Sequence, residues 1–128
     1  MIAIDTNVLV RLLLADDPGQ TKRARALAAT DRIHVSVTVL LETEWVLRAL
    51  YRIPISDILA GFRTVLAAAD VEDEPGVERA LGLAARGLDF ADALHLARAG
   101  RAAAFATFDE KLLKRAKKLA TQPPVRQP

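Results

Sequence analysis

The chain has 128 residues, 52% of them hydrophobic, and its 18 Lys and Arg nearly balance its 16 Asp and Glu. This composition excludes a disordered chain and fits one globular domain that folds unaided. Because the chain has no cysteine, disulfides, thiolate metal sites and a cysteine nucleophile are excluded, and any metal ion must be held by oxygen or histidine ligands.

The N-terminal sequence MIAIDTNVLV has no basic signal region, and no apolar run approaches the ~18 residues that a membrane span needs. We therefore expect a cytoplasmic protein that does not contact a membrane. The net charge of +2 is too small to indicate a nucleic-acid partner by itself.

Short apolar runs alternate with longer segments of helical periodicity. The runs at 2–4, 33–37 and 102–106 predict strands, and the segments 40–51, 55–69 and 77–86 predict helices. This alternation predicts an α/β fold with a mainly parallel sheet. We expect a single domain over residues 1–128, with 121–128 as a loose tail.

Local signals mark the expected ends of these elements. Thr38 is a suitable N-cap for a helix that runs to about Arg52, since Pro54 does not allow the helix to continue. Residues 70–75 leave room for a short edge strand and a turn. Gly87 and Gly100 stand where helices are expected to end.

Acidic residues follow two of the predicted strands. The first strand runs directly into Asp5, and the run at 102–106 is followed by Thr107, Phe108 and Asp109. Functional residues of open α/β sheets gather at the carboxyl ends of strands. If these two strands are neighbours, Asp5 and Asp109 come together.

Two further acids lie on the predicted helix 40–51. Glu42 shares a helical stripe with Val39 and Val46, which predicts that it faces the interior. Glu44 lies four residues before Arg48, as in an ordinary surface ion pair. Because an unpaired buried carboxylate costs several kcal/mol, Glu42 is expected to need a cation.

The segment GLDFADALHLA contributes Asp89 and Asp92. Helix capping is the favoured explanation for Asp89. Asp92 lies one turn into the helix, where a second cap is not needed, so a chemical role is favoured for it. Converging carboxylates repel one another unless divalent cations neutralise them. Mg²⁺ or Mn²⁺ suits such oxygen ligands and promotes phosphodiester hydrolysis.

The sequence also resembles a known family. IDTNVLV, Glu42 in VTVLLETEWVL, DFADALHLA and ATFDEKLL occur in the order and spacing of PIN-domain proteins, specifically the VapC-type toxins. Each motif alone is weak, but the four together are specific and span nearly the whole chain.

The resemblance implies roles for individual residues. It identifies four acids as those that hold Mg²⁺ or Mn²⁺ and carry catalysis: Asp5, Glu42, Asp92 and Asp109. Thr6, Asn7 and Thr107 match small polar residues that support the pocket, and a supporting role stays open for Asp89.

The resemblance further implies a three-layer α/β/α fold, an endoribonuclease that acts on RNA as a toxin, and a homodimer. It also implies a cognate antitoxin whose tail covers the site, often with a basic side chain among the carboxylates. An arginine there would replace the charge of the metal ion.

Several residues keep two interpretations. His95 is either a ligand or, more often for such a residue, a partly buried helical histidine. Arg11 either contacts phosphate or lies on the surface. Trp45, Tyr51 and Phe62 either line a partner groove or pack in the core, with core packing favoured. The cations of KLLKRAKKLA form either a solvated face, which is favoured, or a phosphate contact.

Two other functions compete with the nuclease. Asp5 after the first strand also resembles the nucleophile of haloacid-dehalogenase-like phosphatases, but their second Asp is replaced here by Asn7. The other alternative is a catalytically silent module that binds RNA or a protein and uses its acids only for structure.

Overall fold

The computed structural model describes all 128 residues and divides into two compact units, residues 1–73 and 74–128. The first unit contains β1 (Ile2–Ala3), α1 (Thr6–Leu13), α2 (Pro18–Thr30), β2 (Ile33–Val35), α3 (Val37–Trp45), a π-helix (Val46–Leu50), α4 (Ile55–Ala68) and β3 (Asp70–Val71). The second contains α5 (Glu74–Ala85), α6 (Phe90–Arg98), β4 (Phe105–Ala106), α7 (Glu110–Leu119) and β5 (Val125–Arg126).

A parallel sheet with strand order β1-β2-β3 organises the first unit. Ile2 is paired with Ile33, and Val35 with Val71. Val35 and Phe62 of α4 are fully buried in the core of this unit. The seven α-helices and the parallel strands confirm the predicted α/β class and are consistent with three layers.

The helix after β2 begins earlier than predicted and changes its winding. Ser36, not Thr38, is the N-cap, since its hydroxyl accepts a hydrogen bond from the Val39 amide. The predicted single helix at 40–51 is α3 followed by the π-helix. At the end of that π-helix, the Tyr51 amide donates to the carbonyl of Val46 at 3.2 Å, the five-residue spacing of a widened turn.

In the second unit, β4 pairs in parallel with β5. The prediction of a loose tail at 121–128 was therefore wrong. Phe105 and Thr107 donate backbone hydrogen bonds to the carbonyls of Pro124 and Arg126, and Thr121 is buried. These backbone bonds hold the last residues, which the Pro-rich composition had suggested were unpaired. The strand predicted at 102–106 is shorter, and it belongs to a different sheet from β1.

The predicted orientation of Glu42 was wrong. Glu42 is exposed, whereas Glu44 is only 2% exposed. The buried stripe of the helix is Leu40, Thr43, Glu44 and Leu47, which follows the i, i+3, i+4, i+7 pattern. Residues two apart on a helix point ~200° from each other, so burying Glu44 turns Glu42 toward solvent. The predicted pair does form, with Arg48 Nε 2.6 Å from Glu44 Oε1.

Glu44→Ala is expected to lower the free energy of unfolding by about 1–3 kcal/mol, because it leaves a cavity and removes one partner of Arg48. Chemical denaturation measures this change. Glu78→Ala, at an exposed position of α5, is the control and is expected to change stability by less than about 0.5 kcal/mol. Equal small effects from both substitutions would show that the buried pair contributes little.

The aromatic residues divide between core and surface. Phe62 is fully buried, as core packing predicted, but Trp45 is 51% and Tyr51 37% exposed. The core interpretation was therefore wrong for these two, which flank the π-helix. No helix of the structure is both long and apolar enough to cross a membrane.

Candidate functional site

Asp5 stands between β1 and α1 in the first unit. It is exposed and is the N-cap of α1, where its Oδ1 accepts a hydrogen bond from the Val8 amide at 3.0 Å. Capping alone would explain an aspartate here. However, a carboxylate has two oxygens with about four acceptor positions, so the cap leaves most of its binding capacity open to solvent.

Glu42 contacts the residue that follows Asp5. The hydroxyl of Thr6, which is buried, donates a hydrogen bond to Glu42 Oε1. This bond joins the first residue of α1 to the middle of α3. The bond thus holds the carboxylate of Glu42 against Thr6, the residue that follows Asp5. Such a contact is expected if Thr6 supports this acid.

A cleft of about 440 Å³ opens beside Asp5 in the first unit. Its polar lining consists of Asp5, Asn7, Arg11, Gln20 and Arg23. Gln20 and Arg23 were not singled out from the sequence. A signal existed, since Gln20, Arg23, Ala24 and Leu27 share one helical stripe.

Arg11 is held in the wall of this cleft. Its Nε donates to Gln20 Oε1 at 2.7 Å, and its Nη1 donates to Asp16 at 3.2 Å and to the Tyr51 hydroxyl at 3.3 Å. The hydrogen bond to Tyr51 is the largest influence that raises the pKa of Arg11, and the charge of Asp16 adds to it. Arg11 is thus a fixed, charged group that lines the cleft beside Asp5, and its contact with phosphate stays a prediction.

The remaining acids lie in the second unit, where two of them cap helices. Asp89 Oδ2 accepts a hydrogen bond from the Asp92 amide at 3.2 Å, which confirms the expected cap of α6. Asp109 Oδ1 accepts from the amides of Lys111 at 2.9 Å and Leu112 at 3.1 Å, and so caps α7. The hydroxyl of Thr107 accepts from the Asp109 amide at 3.0 Å, which fixes the backbone at Asp109.

Asp92 lies half-buried in the first turn of α6. Burial raises the pKa of its carboxyl above the ordinary value, and the negative charges of Asp89 and Asp109 raise it further, while His95 lowers it. Asp89, Asp92 and Asp109, which we call the second-unit cluster, therefore interact electrostatically. The two neighbouring negative charges disfavour the ionised form of Asp92, and a bound cation would favour it.

His95 is exposed, and its ring stacks on Phe105 with centroids 6.4 Å apart and planes inclined by 13°. The interpretation of His95 as a partly buried histidine was therefore wrong, and its role as a ligand stays a prediction. On α7, the cations Lys111, Lys114, Arg115 and Lys118 are exposed. Arg115 also donates to the Gly87 carbonyl at 2.6 Å, so part of this basic face serves structure.

The structure places the predicted residues in two groups. Asp5, Thr6, Asn7 and Glu42 belong to the first unit, and Asp89, Asp92, Thr107 and Asp109 to the second. Within neither unit do three acidic or histidine side chains adopt an arrangement that could hold a metal ion. All the acidic groups concerned offer oxygen atoms, which are the ligands that Mg²⁺ and Mn²⁺ prefer.

No curated protein gives a significant match to this sequence. The sequence-family model of the PIN domain matches residues 2–119. This range includes every predicted site residue and parts of both units. Members of this family are generally metal-dependent nucleases. Since the match covers most of the sequence, the chain belongs to the PIN-domain family.

Proposed function

We propose that this protein is a metal-dependent endoribonuclease that acts as the toxin of a toxin-antitoxin pair in the cytoplasm. The observation that carries the proposal is the second-unit cluster, in which a half-buried Asp92 lies in the field of two further carboxylates. A family match over residues 2–119 supports it. Asp89 and Asp109 cap helices, but Asp92 caps none, and a cation would offset the two negative charges near its half-buried carboxyl.

We propose Asp5, Glu42, Asp92 and Asp109 as the residues that hold Mg²⁺ or Mn²⁺. Their chemistry fits such an ion, because all are oxygen donors and the caps at Asp5 and Asp109 leave carboxylate lone pairs free. When bound, the ion supplies polarisation of the phosphodiester and activation of a water molecule.

The residues of the chain prepare this chemistry. The Thr6 hydroxyl orients Glu42, and Thr107 together with the first turn of α7 orients Asp109. Fixing the carboxylates before substrate arrives reduces the reorganisation that the reaction requires. The raised pKa of Asp92 means that its carboxyl binds a proton more readily than an ordinary aspartate does, so a cation binding there competes with a proton.

We further propose that the first unit binds protein partners: a cognate antitoxin and, in a homodimer, a second copy. Four apolar side chains support this, since Trp45, Leu50, Tyr51 and Ile55 are 37–65% exposed within one short segment. Exposed apolar patches commonly mark protein interfaces. A basic side chain of the antitoxin would neutralise the acids in place of the metal ion.

The proposal predicts metal-dependent cleavage. Antitoxin-free protein incubated with a mixed pool of tRNA and ribosomal RNA is expected to cut RNA internally with Mg²⁺ or Mn²⁺ and to leave it intact with EDTA. Gel electrophoresis of the RNA measures the result. Because the ion binds the folded state, it is also expected to raise the melting temperature. Folded, metal-bound protein that leaves every RNA intact would contradict the proposal.

The catalytically silent module remains the second candidate, since acids that cap helices need no metal. It predicts that calorimetry detects no Mg²⁺ or Mn²⁺ binding at millimolar concentration, either in the wild type or in Asp5→Asn. Membership of the PIN-domain family and Asn7 at the position of the second Asp argue against the phosphatase. The phosphatase would be supported only if a covalent phosphate could be trapped on Asp5.

A further inference from the structure

The cleft beside Asp5 has the size and lining of a binding site. Its volume of about 440 Å³ falls within the range of about 300–1,000 Å³ that is usual for small-molecule sites. One wall is α1 with Val8 and Arg11, and the other is α2 with Gln20, Arg23 and Leu27. The cleft is therefore large enough for one building block of a polymeric substrate, and the neighbouring part of that substrate would lie at Asp5.

The polar groups of the cleft are mainly hydrogen-bond donors. Gln20 Oε1 accepts from Arg11 Nε, so the side-chain amide NH₂ of Gln20 is the group that remains for a ligand. Asn7 adds a second amide. Arg11 is itself held by Asp16 and Tyr51, and its charge is partly neutralised there. Such a set matches a ligand rich in acceptor oxygens and nitrogens.

Arg23 differs from Arg11 in having no internal partner. It is exposed on α2 and forms neither a hydrogen bond nor an ion pair within the chain. Its guanidinium is therefore a free positive charge at the edge of a cleft that begins at Asp5. A planar guanidinium binds phosphate through two parallel hydrogen bonds.

The apolar part of the lining narrows the ligand class. Val8, Ala24 and Leu27 contribute an uncharged surface to the lining, which suits the flat face of a base rather than a second phosphate. A base is available to such a cleft only where the nucleic acid is single-stranded.

We propose that this cleft binds one nucleotide of single-stranded RNA adjacent to the bond that is cut, with Arg23 binding its phosphate and the amides of Asn7 and Gln20 contacting its base. This inference rests on the proposed nuclease function and names the residues that position its substrate. Arg23 acts in binding and takes no part in the chemical step.

The test separates RNA binding from cleavage. Asp5→Asn serves as the background, and fluorescence anisotropy measures its binding to a short, labelled single-stranded RNA pool of random sequence at several salt concentrations. Adding Arg23→Ala is expected to weaken binding at least about tenfold, because the loss of even one charge-assisted hydrogen bond has an effect of that size. It is also expected to reduce the slope of log K against log salt by about 0.7.

Arg25→Ala is the matched control, since Arg25 is an exposed arginine of the same helix that does not line the cleft. Equal binding by the Arg23→Ala and Arg25→Ala proteins would overturn the inference, even if the wild type cleaves RNA. Binding that depends on Arg23 in a protein that cuts no RNA would support the subsite and reject the nuclease. In an active enzyme, Arg23→Ala is expected to raise KM more than it lowers kcat.

Discussion

Replacing Asp5 by Asn is expected to lower the rate of RNA cleavage by about a thousand-fold or more, because a metal ion contributes several kcal/mol to the transition state. The fold is expected to remain intact. Asp5 caps α1 through one oxygen, and Asn caps helices about as well as Asp. The substitution therefore removes a ligand charge while it keeps the hydrogen bond to Val8.

Single-turnover cleavage and thermal unfolding of Asp5→Asn test this expectation together. Asp17→Asn is the control, since Asp17 caps α2 in the same way, accepting from the Gln20 amide at 3.1 Å, but belongs to neither acidic group. Asp17→Asn should retain full activity. If Asp5→Asn cleaves RNA at the wild-type rate, Asp5 serves as a cap and not as a metal ligand.

Asp92→Asn is expected to abolish cleavage and, without metal, to raise stability at neutral pH. Because folding raises the pKa of Asp92, the folded chain keeps this proton to higher pH than the unfolded chain does. The free energy of unfolding of the wild type therefore falls as the pH rises from the ordinary carboxyl pKa through the folded-state pKa. The amide variant lacks this loss, so its advantage appears above that range and disappears below it.

Thermal unfolding of both proteins in EDTA across this pH range measures the effect. Asp57→Asn is the control, because Asp57 is an exposed acid in the first turn of α4. Like Asp92→Asn, this substitution removes the favourable interaction of a negative charge with a helix N-terminus. It should lower stability slightly and leave cleavage unchanged. A lower melting temperature for Asp92→Asn at neutral pH would mean that the acid stabilises the fold.

Much of the architecture could be predicted because local signals and burial agree. The apolar run after Met1, the break at Pro54 and the helix pattern at 55–69 all correspond to observed elements. The caps at Asp89 and Gly87, whose φ is +104°, follow from residue chemistry alone. Local preference decided these elements, so the sequence was sufficient to predict them.

The errors arose where long-range contacts outweighed local pattern. The paired C-terminal strand is held by β4, and the Pro-rich segment itself carries no sign of that partner. The orientation of α3 was misjudged because Glu44 looked like half of a surface pair. In the structure Glu44 is buried, and Arg48 reaches its carboxylate from the surface. Acids at 5, 92 and 109 were predicted as site residues partly from their place after strands or in a first helical turn, whereas Gln20 and Arg23 of the cleft shared only a helical stripe.

The π-helix has a consequence for how this sequence can vary. A widened turn holds one more residue than an α-turn, so it shifts everything after it by about 100° around the axis. Leu50, which an unbroken α-helix would place above buried Leu47, is instead 65% exposed, and Tyr51 meets Arg11. Glu42 precedes the turn and keeps its direction. Insertions or deletions between 46 and 50 are therefore expected to remodel the exposed aromatic segment and the Arg11 contact without moving Glu42, so this surface can change independently of that acid.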